Sequence, residues 1–269
     1  MKITYFTSGY CVAHAAIPDP KNGHGKTRFY AVWALIQHPE LGNVLFDTGY
    51  SPLFQEVTKK FPDRFYRWAT PVVLEENQTA KAILAQHGIL PEQIDYVIIS
   101  HFHADHVAGL KDFPKSKFIC SNVAYEQMQQ VSGIKAVSKG ILKDLIPEDI
   151  AERVFFVEDI SSKKIDASGL VFYDLFQKNA LQLVLLSGHA RGMLGFYANR
   201  QLFATDASWS YETFEKGILP NKIVKLFFDS WQDFLDTQSK LRVFQKQNPE
   251  VKILFTHCPE TLKFINNAI

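Results

Sequence analysis

His101-Phe102-His103-Ala104-Asp105-His106 places three imidazoles and a carboxylate within six residues, directly after the apolar run Tyr96-Val97-Ile98-Ile99. Such a run reads as a buried strand, so the polar side chains stand where the strand ends. Residues two apart on an extended chain point the same way, and His101 and His103 can therefore bind one ion together. Asp105 and His106 come after the chain turns and face a different direction. Donors divided into two pairs suggest two adjacent metal ions. Closely packed imidazoles and a carboxylate need such a partner when they leave water. The donor types suit zinc, iron or manganese, which makes a polar loop with chance histidines the weaker reading.

Further donors end other apolar runs. Leu181-Gln182-Leu183-Val184-Leu185-Leu186 leads into Ser187-Gly188-His189, Gln201-Leu202-Phe203-Ala204-Thr205 leads into Asp206, and Val251-Lys252-Ile253-Leu254-Phe255-Thr256 leads into His257. Alone, each would read as a hydrogen-bonded loop residue or a turn former. Together, strands that deliver His or Asp at one sheet edge can assemble a site from distant parts of the chain.

The order His-x-His-x-Asp-His, then His, Asp and His resembles the metallo-β-lactamase superfamily, over nearly the whole chain. Phe46-Asp47-Thr48-Gly49 is similar to the family's early Asp-Thr-Gly turn, and Gly188-His189-Ala190-Arg191-Gly192 to its Gly-His-x-x-Gly segment. The resemblance implies that His101, His103 and His189 hold one metal and that Asp105, His106 and His257 hold the other. Asp206 would bridge the two, and Asp105 and Asp206 would be the catalytic carboxylates. It gives Asp47 the role of accepting an N–H from a metal-bound imidazole. The residues alone also allow a simple turn there, since Asp-Thr-Gly suits a tight reversal. The implied cofactors are two divalent ions, zinc first, with iron or manganese as alternatives.

What the metals would do is hydrolysis. A hydroxide held between them is a nucleophile at neutral pH, and a metal polarises the substrate oxygen. Within the superfamily the donor set is most similar to the acyl-homoserine lactonase group, so a small carbonyl substrate such as a lactone is expected. A thioesterase or phosphodiesterase with the same core is the alternative, and a metal-containing ligand-binding protein with vestigial activity is a third reading. His103 stands where flavodiiron reductases usually carry Glu, and His106 with Asp206 departs from a true β-lactamase. Lactonases of this group often place Tyr three residues after the bridging Asp. Here Trp209 holds that position, which donates one N–H but is no phenol, with Tyr211 two residues further on.

Composition fits one catalytic domain spanning residues 1–269. The 269 residues, 46% hydrophobic with net charge +1, can bury a substantial core and offer no electrostatic reason to expect nucleic acid or an anionic membrane. Cys11, Cys120 and Cys258 are few and scattered, implying no disulfide framework, and His257 already takes the ligand position beside Cys258. The N-terminal run is too short and alternating for a signal peptide, and no stretch reaches membrane-spanning length, so a soluble cytoplasmic protein is expected.

Strands are expected at 3–8, 29–37, 44–47, 96–100, 117–120, 154–157, 170–176, 181–186, 193–198, 201–204 and 252–256, and helices at 78–87, 122–130, 231–247 and 259–266. This α/β order fits a four-layer αββα sandwich, two mixed sheets with helices on both outer faces. Pocket-covering insertions are expected near 50–71 and 125–150, as an apolar cover over the metals or a homodimer surface. Their aromatic residues, together with Trp209, predict neutral, partly apolar carbonyl substrates, with Trp68, Trp209 and Tyr211 as candidate contacts.

Overall fold

The structure, a computed structural model, describes residues 1–175 and 180–265. Its strands are β1 (Lys2–His14), β2 (Lys26–His38), β3 (Gly42–Phe46), β4 (Val72–Val73), β5 (Ile94–Ile98), β6 (Lys117–Cys120), β7 (Val154–Phe156), β8 (Ser161–Ile165), β9 (Val171–Leu175), β10 (Gln182–Leu185), β11 (Leu194–Ala198), β12 (Gln201–Phe203) and β13 (Lys252–Leu254). They form a seven-stranded sheet in the order β4-β1-β2-β3-β5-β6-β7 and a six-stranded sheet in the order β13-β12-β11-β10-β9-β8. Both sheets are mixed: β3, β5, β6 and β7 run parallel, as do β12 and β13, and the remaining pairs are antiparallel.

Alternation of side chains along each strand builds the layers. Val44 and Phe46 of β3 point into the space between the sheets, where they meet Leu183, Phe196 and Phe203 from the other sheet. Phe46 packs edge-on against Phe196 with ring centroids 4.9 Å apart. Leu45, one residue between, points the opposite way into a second core with Leu84, Val107 and Met128 from the covering helices. On the other sheet, Phe172, Val184 and Leu202 face outward and bury Leu241 and Phe244 of the helix Trp231–Gln247. Strands buried on both faces carry near-continuous apolar runs, which is why they are so easily read.

Every expected strand overlaps an observed one. Phe176 and residue 266, at the ends of an expected strand and an expected helix, lie outside the described residues. The expected helix at 259–266 is a short 3₁₀ turn, Thr261–Phe264. Two strands carried no signal. β8, Ser161-Ser162-Lys163-Lys164-Ile165, has no apolar alternation and is held to β9 through backbone bonds at the sheet's edge. β4 has two residues and forms because β1 runs on to His14. A register shift between Thr7 and Tyr10 accommodates Gly9, at φ +75°, where a Cβ would stand 2.7 Å from the Val73 carbonyl oxygen. Among the described residues no helix is long and apolar enough to cross a membrane.

β3 and β5 are parallel neighbours, β10 and β12 are both antiparallel to β11, and β12 is parallel to β13. Their C-terminal ends therefore share one edge of the sandwich. Asp47, His101, His189, Asp206 and His257 all follow those ends.

Candidate metal centre

The six-residue run after β5 breaks into an extended piece and a short helix, Ala104–Val107, with His103 at its N-cap. His101 and His103 thus leave the strand together, and Asp105 and His106 are turned aside by the helix. His189 arrives from the β10–β11 loop and Asp206 from the turn after β12. Thr205, just before Asp206, has φ +45°, a rare conformation for a β-branched residue that costs on the order of 1–3 kcal/mol. That strain sits next to the carboxylate it aims.

Two donor groups result: His101, His103, His189 and Asp206, and Asp105, His106, His257 and Asp206, with the donor atoms of each group within 4.8 Å of one another. Asp206 belongs to both. Its Oδ2 lies 3.1 Å from His257 Nε2, 3.3 Å from His189 Nε2, 3.6 Å from His106 Nε2 and 4.0 Å from His101 Nε2. Asp105 Oδ2 lies 3.4 Å from Nε2 of both His106 and His257.

The surrounding hydrogen bonds fix which ring atoms face inward. His106 Nδ1 is 2.7 Å from Asp47 Oδ2 and donates to it, leaving Nε2 for the site. Asp47, at φ +61°, is itself braced by the Ser100 N–H and hydroxyl, each at 2.8 Å. His257 Nδ1 donates to the Tyr30 carbonyl at 2.9 Å. His101 Nδ1 sits 3.0 Å from the Ser100 hydroxyl. What remains is a set of inward atoms without partners: His101 Nε2, His106 Nε2 and Asp206 Oδ1 are buried and make no hydrogen bond. His103 Nδ1 and His189 Nε2 face each other across 3.0 Å. Buried lone pairs aimed at a common point are costly unless a cation receives them, so the residues fit two metal ions.

Residues 27–244 match the model of the metallo-beta-lactamase superfamily. The chain belongs to that superfamily. Among its relatives, an N-acyl homoserine lactonase from a Bacillus species is 24% identical over 255 residues, 93% of this chain and 91% of its own. An N-acyl homoserine lactonase, AttM, from Agrobacterium fabrum is 23% identical over 193 residues, 70% of this chain and 67% of its own. A solved N-acyl homoserine lactone hydrolase, with N-hexanoyl-L-homoserine bound at its catalytic metal centre, superposes with a TM-score of 0.73 at 20% identity, covering 97% of this chain and 95% of that one. The dizinc quorum-quenching lactonase AidC superposes with a TM-score of 0.64 at 15% identity, covering 96% and 90%. The structural likenesses fix the metallo-β-lactamase fold.

Electrostatics follow from burying three carboxylates among imidazoles. Burial drives His101 well below the ordinary histidine range, helped by repulsion from His106 and His103. Burial likewise brings His103 down to about 3, with His189 adding to it. His106 goes the other way: burial opposes its charge, but Asp105, Asp47 and Asp206 outweigh that and hold it well above its usual value. Burial also opposes charge on His257, which Asp206 and Asp105 raise. Asp105 falls to about 2 because His106 and His257 overcome the upward push of burial, and Asp206 is held well below the usual carboxylate range, against burial, by His257, His106 and His189. Protons thus compete for the raised imidazoles, His106 and His257, at a higher pH than for the depressed pair, His101 and His103. On acidification, the ion of the Asp105–His106–His257 group should leave first. Histidine NMR signals of the zinc-loaded protein, followed down in pH, check this; release in the opposite order overturns it.

The aromatic candidates separate. Trp209 does reach the site: its ring meets His189 edge-on at 6.0 Å and Phe29 at 5.4 Å. Trp68 does not. It is 62% exposed, with its ring contacts on Phe61 and Phe65. Trp68 and Tyr66 share the helix Arg64–Ala69, and two residues turn a helix by about 200°, so with Tyr66 inward Trp68 faces out. Tyr66, half-buried, packs on Phe54, and its phenol lies on the side of Asp105. Tyr211 also misses the donors. It begins the helix Tyr211–Glu215, its phenol lies beside Glu215 and Glu260, and its backbone N–H donates to Cys258 Sγ at 3.3 Å. Cys258 is spent on that contact, in the core behind the site.

Sequence reading missed the Phe228 ring, edge-on to His189 at 4.9 Å and to Trp209 at 5.6 Å. It also missed the Ser100 and Tyr30 contacts. Ser100 directly precedes His101 and could have been suspected. The Tyr30 contact is made by a backbone carbonyl, for which side-chain chemistry gives no signal.

Proposed function

We propose that the chain is a dinuclear metallohydrolase that opens a small lactone ring, of the kind its N-acyl homoserine lactonase relatives are named for. The observation that carries the reading is Asp206 shared between two complete donor groups at one sheet edge. Two bound cations, zinc by analogy with the dizinc relative, would supply Lewis acidity at the carbonyl oxygen and activate water at neutral pH. The protein's own part is to hold the donors still. Asp47 and the Tyr30 carbonyl lock the ring orientations of His106 and His257. Asp105 stays ionised and is only 8% exposed, placed to take a proton from the attacking water and return it to the leaving alkoxide. Pro18, Trp209, Pro220, Phe228 and Phe234, with Ser208 and Thr213, line a shallow recess that also contacts Asp206, a mostly apolar wall for an alkyl or acyl substituent.

This reading treats the chain as one catalytic domain. Three free, buried cysteines suit a reducing compartment, and cytoplasm is the location we propose. The exposed cluster Phe61, Phe65 and Trp68 is the candidate homodimer contact.

The test is turnover of acyl-homoserine lactones by zinc-loaded protein, followed by proton release, beside thioester and phosphodiester panels. Elemental analysis should find two ions per chain, and chelation should abolish turnover. Full activity with one tightly held ion, or faster turnover of a phosphodiester than of every carbonyl substrate, rejects the reading. Trp209→Ala should cost longer acyl chains more than short ones, since each buried methylene is worth about 0.8 kcal/mol. Equal losses along the chain-length series would remove Trp209 from the wall.

A further inference from the structure

Beside His101 and His103 the wall is cationic. His101, Phe102, His103, Gln127, Lys139 and Arg191 line a small surface recess. Lys139 comes from the turn after the helix Gly133–Ser138, and Arg191 from the loop that carries His189. Both cations approach one carboxylate, Asp229: Lys139 Nζ lies 3.4 Å from Oδ1, and Arg191 Nε lies 3.5 Å from Oδ2. Gln127 Nε2 also donates to Asp229 Oδ1, at 2.6 Å. Asp229 is thus well supplied with donors; Lys139 Nζ also reaches the Phe228 carbonyl at 3.5 Å, and both of its contacts are long. Two positive charges against one negative leave an excess of one, and the Arg191 side chain is 56% exposed, its contact with Asp229 a long 3.5 Å.

We propose that Lys139 and Arg191 form an anion-recognition subsite and that the substrate carries a carboxylate in addition to its scissile ester carbon. This rests on the metallohydrolase reading and refines it, replacing the expectation of a neutral substrate. The excess of one positive charge matches a monoanion better than a phosphate dianion. The guanidinium fork suits a planar carboxylate, and Asp229 holds both cations at the edge of the recess. A substrate lying between the two recesses would put its charged group beside His101 and His103 and its apolar group against Trp209 and Phe228.

The alternative is purely structural: Asp229 ties the His189 loop to the turn at Lys139, and the cations serve only that tie. A matched pair of five-membered lactones separates the two, one bearing a ring carboxylate and the other the corresponding carboxamide. The wild-type protein should favour the carboxylate by tenfold or more in kcat/KM, with the preference shrinking as salt rises. Lys139→Met and Arg191→Gln should each cut that ratio at least fivefold, chiefly through KM, and Arg191→Lys, which keeps the charge but not the fork, should retain only part of it. Lys163→Gln, on the exposed edge strand β8, serves as the charge control and should leave the ratio unchanged. Calorimetric binding of the same compounds reads the subsite without turnover: the carboxylate should bind more tightly, and the two charge-removing variants should erase the difference. Variants that depress both compounds equally, or a wild-type ratio at or below one, overturn the proposal. If neither compound nor any other ester is hydrolysed, the hydrolase reading fails, and the binding comparison still decides the subsite.

Discussion

Asp206→Ala is expected to lower kcat/KM by about 10³-fold or more, on the order of 4 kcal/mol of lost transition-state stabilisation. No other side chain belongs to both donor groups among the described residues, so its removal weakens both ions and the spacing between them. Four imidazole nitrogens lie within 4.0 Å of its Oδ2, so its removal takes a carboxylate away from both groups at once. Asp206→Asn keeps the volume but not the charge and should fall between the wild type and Ala. Cys258→Ser is the comparison, because Cys258 follows His257 in sequence yet its sulfur accepts the Tyr211 N–H. A serine hydroxyl can accept that bond too, so activity should change by no more than a few-fold. The measurement is kcat/KM with metal content determined on the same samples. Equal losses from Asp206→Ala and Cys258→Ser would put the thiol among the donors and remove the special place of the carboxylate.

The contrast between these neighbouring segments shows what the sequence makes legible. Donors that follow apolar runs announce themselves, because a strand's length and direction place its end. His101, His189, Asp206 and His257, which come together in the two donor groups, were readable in that way, whereas the role of Asp47 came only from the resemblance. Direction around a short helix was not. Tyr66 and Trp68 sit in the same aromatic stretch, and only the turn of Arg64–Ala69 decides that one is half-buried on the side of Asp105 while the other is exposed. Tyr211 failed for a related reason, since the helix it begins carries its phenol toward Glu215. Phe228 follows a 3₁₀ stretch, Lys222–Leu226, with no regular period, and nothing local marks it as a neighbour of His189. The insertion at 125–150 does reach the donors, but through Lys139, Gly140 and Ile141 rather than through its leucines, which fill the core.

Gly140→Ala is expected to loosen the ion of the His101–His103–His189 group by tenfold or more and to lower kcat/KM by about 10²-fold, the scale that misplacement by about 1 Å can cost. Gly140 has φ +73°, and a Cβ there would lie 2.5 Å from His103 Cδ2 and 2.8 Å from its Nε2. The ring has little room to retreat. Its Nδ1 is 3.0 Å from His189 Nε2, and the His101 ring meets it edge-on at 4.4 Å. The loop cannot easily yield either, since the Gly140 and Ile141 N–H groups donate to Val137 and Ala136, and His103 bridges to Ile141. Backbone conformation alone would cost about 1 kcal/mol, and that part has its own control. Gly88 has φ +72° with nothing within 4 Å of its Cβ position, so Gly88→Ala carries the same backbone penalty without the contact. In the metal-free protein Gly140→Ala should lose at least as much thermal stability as Gly88→Ala, the excess reporting the contact with His103, and only Gly140→Ala should lose metal affinity and activity. Competition titration against a chromophoric chelator, read beside the melting curves, separates the two effects. Unaltered metal affinity in Gly140→Ala would mean that the His103 ring is not held between Gly140 and His189, and the geometry of the first donor group would have to be redrawn.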